Sequence, residues 1–285
     1  MTRTDLSAAQ PTTESSGADT ALRTGAAKFL ADTWAVFTRE ILLVLRDPFT
    51  LIFSLLQPLI FLGLFGPLLT GAVGGFGGGA PGGGGSTAET LQWFVPGVIV
   101  MISLFGTSMS GSNLLYEMMT GSYERVLATP LDRSAILVGR ALKEFAPLVV
   151  QGLLIALVCI PFGFTLYPLH LLVGLALLGL FGIGVGALSI ALALAAKNRE
   201  WLFWGVQQSL LFPLLILSGM MLPLEAGPAW MRTAALFNPL TYIVDAERAL
   251  LAGRFDADVL WGFVAAAITC AVGLWVGIRR TRRTV

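Results

Sequence analysis

Long apolar runs alternate with short polar segments along most of this chain. Six of the runs are apolar over about 20 residues, the length that a helix needs to cross the hydrocarbon core of a bilayer. The pattern predicts an all-α integral membrane protein with six transmembrane helices, in one domain at residues 48–278. The six predicted spans are 49–70, 92–113, 145–164, 169–196, 201–222 and 259–278.

The segments between the runs predict the orientation, because loops that stay in the cytoplasm carry an excess of Lys and Arg. With the N-terminus in the cytoplasm, 15 of the 18 Lys and Arg residues fall on the cytoplasmic side and three in the outer loops. Both termini are therefore predicted to be cytoplasmic. They comprise a disordered tail at 1–25, rich in Ser, Thr, Ala and Gly, and a basic tail at 279–285.

Residues 26–47, before the first span, carry apolar side chains at steps of four and three, which places them on one face of a helix. This face holds Leu30, Trp34, Phe37, Ile41 and Val44, and another side holds Lys28, Asp32, Arg39 and Arg46. A helix of this pattern lies in the headgroup layer with its apolar face toward lipid. Packing of the same helix onto other parts of the protein is the alternative, and the two are compatible.

The segment 114–144 is polar and charged although it lies between two apolar runs, on the predicted cytoplasmic side. Within it, Gly121 and Ser122 start a short helix, Glu124 falls in the first turn, and Thr129 with Pro130 ends it. A second helix, carrying Arg140 and Glu144, then enters the third span.

A solvated loop would explain the charges of this segment. It does not explain a compact helix in which Tyr123 and Leu127 stand beside Glu124 and Arg125. Aromatic and Arg residues anchor protein interfaces, so the mixture favours docking to another protein.

The segment 217–255 is too polar to span a membrane. It predicts a short helix, a break at Asn238 and Pro239, and an amphipathic helix that contains Tyr242. Such backbone at membrane depth is tolerated only where protein covers it. We interpret these short re-entrant helices as an outer gate.

Composition agrees with a membrane protein, since 12% of the 285 residues are charged and 55% are hydrophobic, whereas soluble domains carry about 25% charged residues. The net charge of +1 gives no support to nucleic-acid binding. The preference for Arg over Lys and the abundance of Ala and Gly are typical of a GC-rich bacterial genome, and we expect the protein in a bacterial inner membrane.

Residues that would carry catalysis are missing from the sequence. The glycine run at 74–85 lacks the Gly-Lys-Ser/Thr of a phosphate-binding loop, so we interpret it as a flexible outer linker. His170 is the single histidine and has no partners for a metal. Cys159 and Cys270 lie inside apolar runs and are interpreted as small hydrophobic residues. The chain alone is predicted not to be an enzyme.

Two long stretches, "YEMMTGSYERVLATPLDRSAILVGRALKE" and "LSGMMLPLEAGPAWMRTAALFNPLTYIVDAERALLAG", together with the six-span pattern, resemble the permease subunits of type-2 ABC exporters. The resemblance is strongest to the daunorubicin/doxorubicin-resistance branch and extends from about Phe29 to the last span. The glycine run departs from the family in composition.

The resemblance implies a half-transporter that moves a hydrophobic or amphipathic small molecule, or a lipid, out of the cytoplasm or the inner leaflet. Two permeases, identical or related, would pair and bind two copies of a separate ATPase, which would hold ATP and Mg²⁺; this chain itself would hold no cofactor. The segment at 121–129 would be the coupling helix. The implied ATPase-coupling residues are Gly121, Ser122, Tyr123, Glu124, Arg125, Leu127, Thr129 and Pro130.

Cargo would pass near the first, second and fifth spans. Apolar faces with isolated amides suit a flat or amphipathic molecule, although ordinary helix packing explains the same residues. The candidate path residues are Phe53, Gln57, Phe61, Met101, Phe105, Trp204, Gln208 and Phe212.

Two other classes of function fit the sequence less well than the exporter does. An ATP-independent carrier or channel is disfavoured because the spans lack paired carboxylates, and proton-coupled carriers keep ionisable residues deep in the bilayer. A membrane enzyme or scaffold is disfavoured because no histidine or buried acid stands near the hydroxyl residues of the spans.

Overall fold

The chain is helical through most of the part that the structure describes. The computed structural model describes residues 25–46, 49, 55–56, 58–64, 87–129, 131–197, 199–220, 224 and 227–283. The helices labelled in these residues are α1 Ala26–Arg46, α2 Thr87–Ser108, α3 Ser110–Met119, α4 Ser122–Leu127, α5 Arg133–Lys143, α6 Phe145–Cys159, α7 Pro168–Ala196, α8 Glu200–Ile216, α9 Ala229–Ala235, α10 Pro239–Leu251 and α11 Ala257–Arg283. A 3-10 turn, Ile160–Phe162, follows α6. The all-α prediction is confirmed for the described residues.

Four helical stretches in the described residues are long and apolar enough to cross a membrane: Ala88–Met119, Arg133–Phe162, Pro168–Ala196 and Ala257–Arg282. The fifth predicted span corresponds to α8, whose 17 residues give a length of about 26 Å at 1.5 Å per residue, short of the roughly 30 Å hydrocarbon core. The first predicted span lies mostly outside the described residues. The number six therefore stays a prediction.

Three predicted boundaries differ from the structure. The fifth span was predicted to reach residue 222, but α8 ends at Ile216, and Gly219 then adopts a left-handed φ of +68°. The segment 114–144 is more helical than predicted, because α3 continues to Met119 and α5 begins at Arg133. The basic tail is helical as far as Arg283, as the end of α11.

Helix α7 runs through the centre of the described residues and packs closely on its neighbours at glycines. At its crossing with α11, a Cβ built on Gly184 would lie 2.7 Å from the Cα of Cys270, and one on Gly273 would lie 2.2 Å from the Gly184 carbonyl oxygen. A Cβ on Gly182 would lie 2.8 Å from Thr107 Cγ2 of α2. These glycines let α7 approach α2 and α11 closely.

The predicted amphipathic helix at 26–47 corresponds to α1. Its Val36 is buried against α5, where a Cβ on Gly139 would lie 2.8 Å from Val36 Cβ. On another side, Leu30 and Trp34 are 65% and 67% exposed. The helix therefore packs on protein and leaves the predicted lipid-facing side uncovered; its place in the headgroup layer stays a prediction.

Candidate functional site

The predicted coupling segment folds as a short helix between two breaks. Gly121, with φ of +70°, lies just before α4, and Thr129 Oγ1 donates to the Val126 carbonyl after it. The carboxylate of Asp132 then accepts hydrogen bonds from the backbone N–H groups of Ser134 at 2.7 Å and Ala135 at 3.4 Å, which caps α5. Pro130 lies outside the described residues.

The two sides of α4 differ in exposure. Tyr123 and Val126 are buried, whereas Ser122, Glu124 and Arg125 are exposed and Leu127 is half-buried. Tyr123 belongs to an apolar cluster that includes residues of α3, α5 and α7, and Val126 to one that includes Val36 of α1. The exposed charges therefore sit on a helix whose other side contacts several elements.

A cluster of charged side chains, in which Arg140 and Glu40 are buried and Glu117 and Lys143 are half-buried, lies behind α4, and we call it the ion cluster. It consists of Glu40 of α1, Glu117 of α3, and Arg140 and Lys143 of α5. Arg140 Nη2 lies 2.5 Å from Glu117 Oε2, and its Nε lies 3.7 Å from Glu40 Oε1. Lys143 Nζ lies 3.1 Å from Glu40 Oε2. Two acids and two bases thus balance one another and join three helices.

The ion cluster also contacts α4, because the Arg140 guanidinium lies over the Tyr123 ring, 5.9 Å from its centroid. Burial raises the pKa of the Tyr123 phenol above its ordinary value, so the ring stays neutral at physiological pH. At the start of α5, the Asp132 N–H donates to Asp32 Oδ2 of α1 at 3.1 Å. The elements α1, α3, α4 and α5 are therefore linked by polar contacts.

Arg140 and Glu144, four residues apart, bind different partners. The hydroxyl of Ser110 in α3 donates to Glu144, and a Cβ on Gly186 of α7 would lie 3.5 Å from Glu144 Cγ. Next to them, Ser189 Oγ of α7 accepts from the Gly111 N–H at 3.0 Å. These contacts extend the polar linkage from α5 to the central helix.

The structure brings together some of the predicted path residues. Phe61, Met101 and Phe105 belong to one apolar cluster, and Phe61 stacks on Phe94 at 5.9 Å. Trp204 packs with a different cluster, beside Phe203, whereas the side chains of Gln208 and Phe212 are exposed on α8. Phe53 and Gln57 lie outside the described residues.

The segment predicted as the outer gate folds as α9, a break and α10. Asn238 is the N-cap of α10, with Oδ1 accepting from the Leu240 N–H at 3.0 Å, and Pro239 is the first helical residue. Tyr242 Oη donates to the Leu236 carbonyl at 2.9 Å. The gating role of these residues stays a prediction.

Sequence reasoning missed Glu40 and Glu117 of the ion cluster and Arg248 of α10. Glu117 and Arg140 are 23 residues apart, and Glu40 and Arg140 are a hundred apart, so no helical spacing joins them. The sequence held one indication of the ion cluster: Glu40 is an acid on α1 that lies on neither the apolar face nor the predicted polar side.

The comparison with protein families decides the class of this chain. The profile of the family described as ABC-2 type transporter matches residues 31–252, well over half of the sequence. The chain belongs to the ABC-2 type transporter family. The match covers most of α1, the ion cluster, α4 and α10.

Individual ABC-2 relatives agree with this assignment. The protein named "Putative transport permease ycf38" of Cyanophora paradoxa is 32% identical over 226 residues, 78% of this chain and 74% of its own length. The daunorubicin resistance ABC transporter permease protein DrrB1 of Streptomyces coeruleorubidus is 28% identical over 252 residues, 88% of this chain and 84% of its own length. The probable multidrug ABC transporter permease YbhR of Escherichia coli K12 is 23% identical over 176 residues, 60% of this chain and 46% of its own length.

The predicted resemblance to type-2 ABC permeases, with the daunorubicin branch among the relatives, is thereby confirmed. An ABC-2 permease is a multi-pass membrane component without a nucleotide-binding domain of its own, and it partners with an ABC ATPase subunit. This sequence likewise contains no phosphate-binding loop motif.

Proposed function

We propose that this chain is the membrane-spanning permease of an ATP-driven exporter, and that α4 is the helix through which the ATPase acts. The proposal depends chiefly on one observation: α4 exposes Glu124 and Arg125, while its buried side contacts Arg140 of the ion cluster. A movement of α4 is passed to α1, α3 and α5 because a buried ion pair resists separation.

In this arrangement the residues of α4 have two different roles. Glu124 and Arg125 face the partner, and Ser122 lies beside them on the exposed side. Tyr123 faces the protein and joins α4 to Arg140, so its role is to transmit the movement rather than to contact the ATPase. Gly121 provides the left-handed turn that aims α4 away from α3.

The α4 end of the molecule is proposed to be cytoplasmic, in a bacterial inner membrane, because the Lys and Arg residues concentrate on that side. Two permeases, identical or related, pair and bind two ATPase copies, and the ATPases hold the ATP and Mg²⁺. The permeases move between inward- and outward-facing states as the ATPases close.

The proposed cargo is a hydrophobic or amphipathic small molecule or a lipid. The names of two relatives, a daunorubicin resistance permease and a probable multidrug permease, support a drug-like compound. The apolar cluster of Phe61, Met101 and Phe105 and the exposed face of α8 offer surfaces for such a molecule.

The test is reconstitution of the full chain with its ABC ATPase subunit, with daunorubicin as the first probe. The double variant Glu124→Lys/Arg125→Glu is expected to lower ATPase binding and daunorubicin transport by about tenfold, since like charges then meet at the interface. The matched control is Arg254→Glu/Asp256→Lys, which exchanges an exposed ion pair of 3.2 Å at the opposite end of the molecule.

Unchanged binding and transport in the α4 variant would overturn its role in coupling. Transport that proceeds in vesicles without ATP, driven by an ion gradient, would instead favour the carrier or channel.

A further inference from the structure

The end of α8 that lies away from α4 is held by side chains of α10. Asn238 Nδ2 donates to the Leu214 carbonyl at 2.7 Å, and Thr241 Oγ1 donates to the Leu217 carbonyl at 3.2 Å. Carbonyls at the C-terminal end of a helix have no partner within the helix. Polar side chains of α10 therefore supply donors that the end of α8 lacks.

Arg248 makes the largest set of these contacts. Its Nη2 donates to the Gly219 carbonyl at 2.9 Å and approaches the Met220 carbonyl at 3.4 Å. Its guanidinium also lies over the Trp93 ring of α2, 4.1 Å from the centroid, and Asp245 lies 3.7 Å from Nη1. One side chain thus joins α10, α2 and the turn after α8.

A second contact between α2 and this turn lies one helical turn beyond Trp93. A Cβ built on Gly97 would lie 2.9 Å from the Met220 carbonyl oxygen and 3.2 Å from Met220 Cβ. Met220 and Ser218 are almost completely buried at this junction. The far ends of α2 and α8 therefore touch closely, with Arg248 beside the contact.

The remainder of α8 is held on one side only. Phe203, Gln207, Leu211 and Leu215 are buried, whereas large residues on the other side, among them Leu210 and Ile216, are more than half exposed. In the terminal turn, Leu215 packs in the apolar core, and Asn238 holds the Leu214 carbonyl, which the helix itself leaves without a donor.

We propose that Arg248 is a latch that holds the far ends of α2 and α8 together, and that its release opens the outer end of the cargo path. The opening role rests on the proposed function, because α2 and α8 carry the path residues Met101, Phe105 and Trp204. Arginine suits a reversible latch, since its planar group donates to carbonyls and stacks on an indole at the same time. When the latch parts, water can replace each donor.

The experiment measures the exposure of the turn after α8. Ser218→Cys places a thiol of similar size at a side chain that is 1% exposed, and we call it the reporter thiol. A membrane-impermeant maleimide added to the outer side labels the reporter thiol only when the turn separates. The native Cys159 and Cys270 are both buried, and the protein without Ser218→Cys gives their background.

Arg248→Gln and Trp93→Leu are each expected to raise the labelling rate of the reporter thiol by about tenfold, because each removes part of the latch. Arg248→Lys should give a labelling rate between that of these variants and that of the protein carrying Ser218→Cys alone. Lys keeps the positive charge but loses the planar guanidinium group with its several donors. Arg254→Gln is the matched control, an exposed arginine on the same side of the molecule, and should leave the rate unchanged.

Gly97→Ala keeps the proposal testable if the Arg248 variants do not fold. Its added methyl group pushes against Met220 and should also raise the labelling rate, whereas Gly106→Ala of the same helix meets nothing within 4 Å and should not. Labelling that is no faster in folded Arg248→Gln or in Gly97→Ala would overturn the latch.

Labelling requires neither ATPase nor cargo, so its result is independent of the proposed function. If the unmodified complex fails to transport while labelling behaves as expected, the exporter proposal fails and the contact role of Arg248 stands. If the complex transports and Arg248→Gln neither labels faster nor transports less, the latch alone fails.

Discussion

The two ends of the molecule are built from different polar contacts. At the α4 end, Glu40 and Glu117 pair with Arg140 and Lys143 in a partly buried side-chain cluster. At the α10 end, Asn238, Thr241 and Arg248 donate to backbone carbonyls at the end of α8.

The two kinds of polar contact differ in how easily they separate when helices move. An ion pair in a buried cluster leaves an uncompensated charge when it is broken, so the cluster moves as a unit. When a carbonyl at a helix end loses its side-chain donor, a water molecule can replace that donor. The contacts at the α10 end therefore separate at a smaller cost in free energy. We infer that the α4 end transmits force and the α10 end opens.

The largest expected effect tests the rigidity of the α4 end. Arg140→Gln leaves Glu40 and Glu117 with much less positive charge, and we expect the free energy of unfolding to fall by about 3–5 kcal/mol, the range for breaking a buried pair. The fraction of protein that remains folded after heating in detergent measures the loss. A loss below about 1 kcal/mol, the range of an exposed pair, would show that the cluster is not a rigid unit.

Two controls accompany this variant. Arg125→Gln, at an exposed position of α4, should change the stability by less than about 0.5 kcal/mol. The double variant Arg140→Gln/Glu117→Gln should be more stable than Arg140→Gln alone, because Glu117 loses its cation with Arg140 whereas Glu40 keeps Lys143.

A second contrast between the ends concerns buried acids. Glu247 of α10 lies outside the four candidate spans, and within the described residues its Oε1 has no hydrogen-bond partner. The carboxyl faces α7, where a Cβ on Gly174 would lie 2.6 Å from Oε2. Burial raises the pKa of Glu247 to about 8. The charged residues near Glu247 on its own helix are Asp245 and Arg248. On α7, the nearby titratable residue is His170, which lies one turn from Gly174 and stacks on Phe255 at 4.3 Å.

The pH dependence follows from this raised pKa. The folded protein holds the Glu247 proton more tightly than the unfolded chain does, so the stability that this proton provides is complete below the unfolded value of about 4.5 and is lost as pH rises toward 8. Glu247→Gln stays neutral throughout, and at pH 8 we expect its melting temperature to exceed that of the unmodified protein by about 3–6 °C. The difference should shrink at pH 5.

Melting curves of both proteins between pH 5 and 9 measure this effect, and Asp258→Asn, at an exposed acid, serves as the control. A constant difference between Glu247→Gln and the unmodified protein at every pH would contradict a neutral Glu247.

The sequence predicted the elements that depend on local pattern and missed the contacts between distant ones. The amphipathic period gave α1, Gly121 and Ser122 gave the start of α4, and Asn238 with Pro239 gave the break before α10. The ion cluster joins residues 23 and about 100 positions apart, and the contacts of Arg248 reach α2 and the end of α8. Periodicity within one helix contains no information about such pairs.

The ends of the helices were predicted less well for a related reason. Apolar character continues past Ile216 in the sequence, so the fifth span was extended to residue 222, whereas the chain turns at Gly219, where α10 supplies donors to the last carbonyls. The segment 114–144 is predicted to hold a short helix and then a second helix, whereas α3 also continues into it as far as Met119, where Glu117 pairs with Arg140 of α5. In both cases a tertiary contact decides what the local pattern leaves open.

The smallest expected effect separates two roles of Asn238. Asn238→Ala removes both the N-cap of α10 and the donor to the Leu214 carbonyl, and should lower the free energy of unfolding by about 1–2 kcal/mol. Asn238→Ser keeps a good N-cap on a shorter side chain that does not reach Leu214, so it should cost about half as much. Combined with Ser218→Cys, both variants should raise the labelling rate of the reporter thiol.

Asp132→Ala makes the matching cap deletion at the α4 end, where the carboxylate accepts from the Ser134 N–H at 2.7 Å. It should cost about 1 kcal/mol of stability without any change in the labelling of the reporter thiol. Equal labelling of all three variants would mean that the Asn238–Leu214 contact does not hold α8. Faster labelling in Asp132→Ala would mean that the two ends respond together, since loss of a cap at one end would then loosen the other.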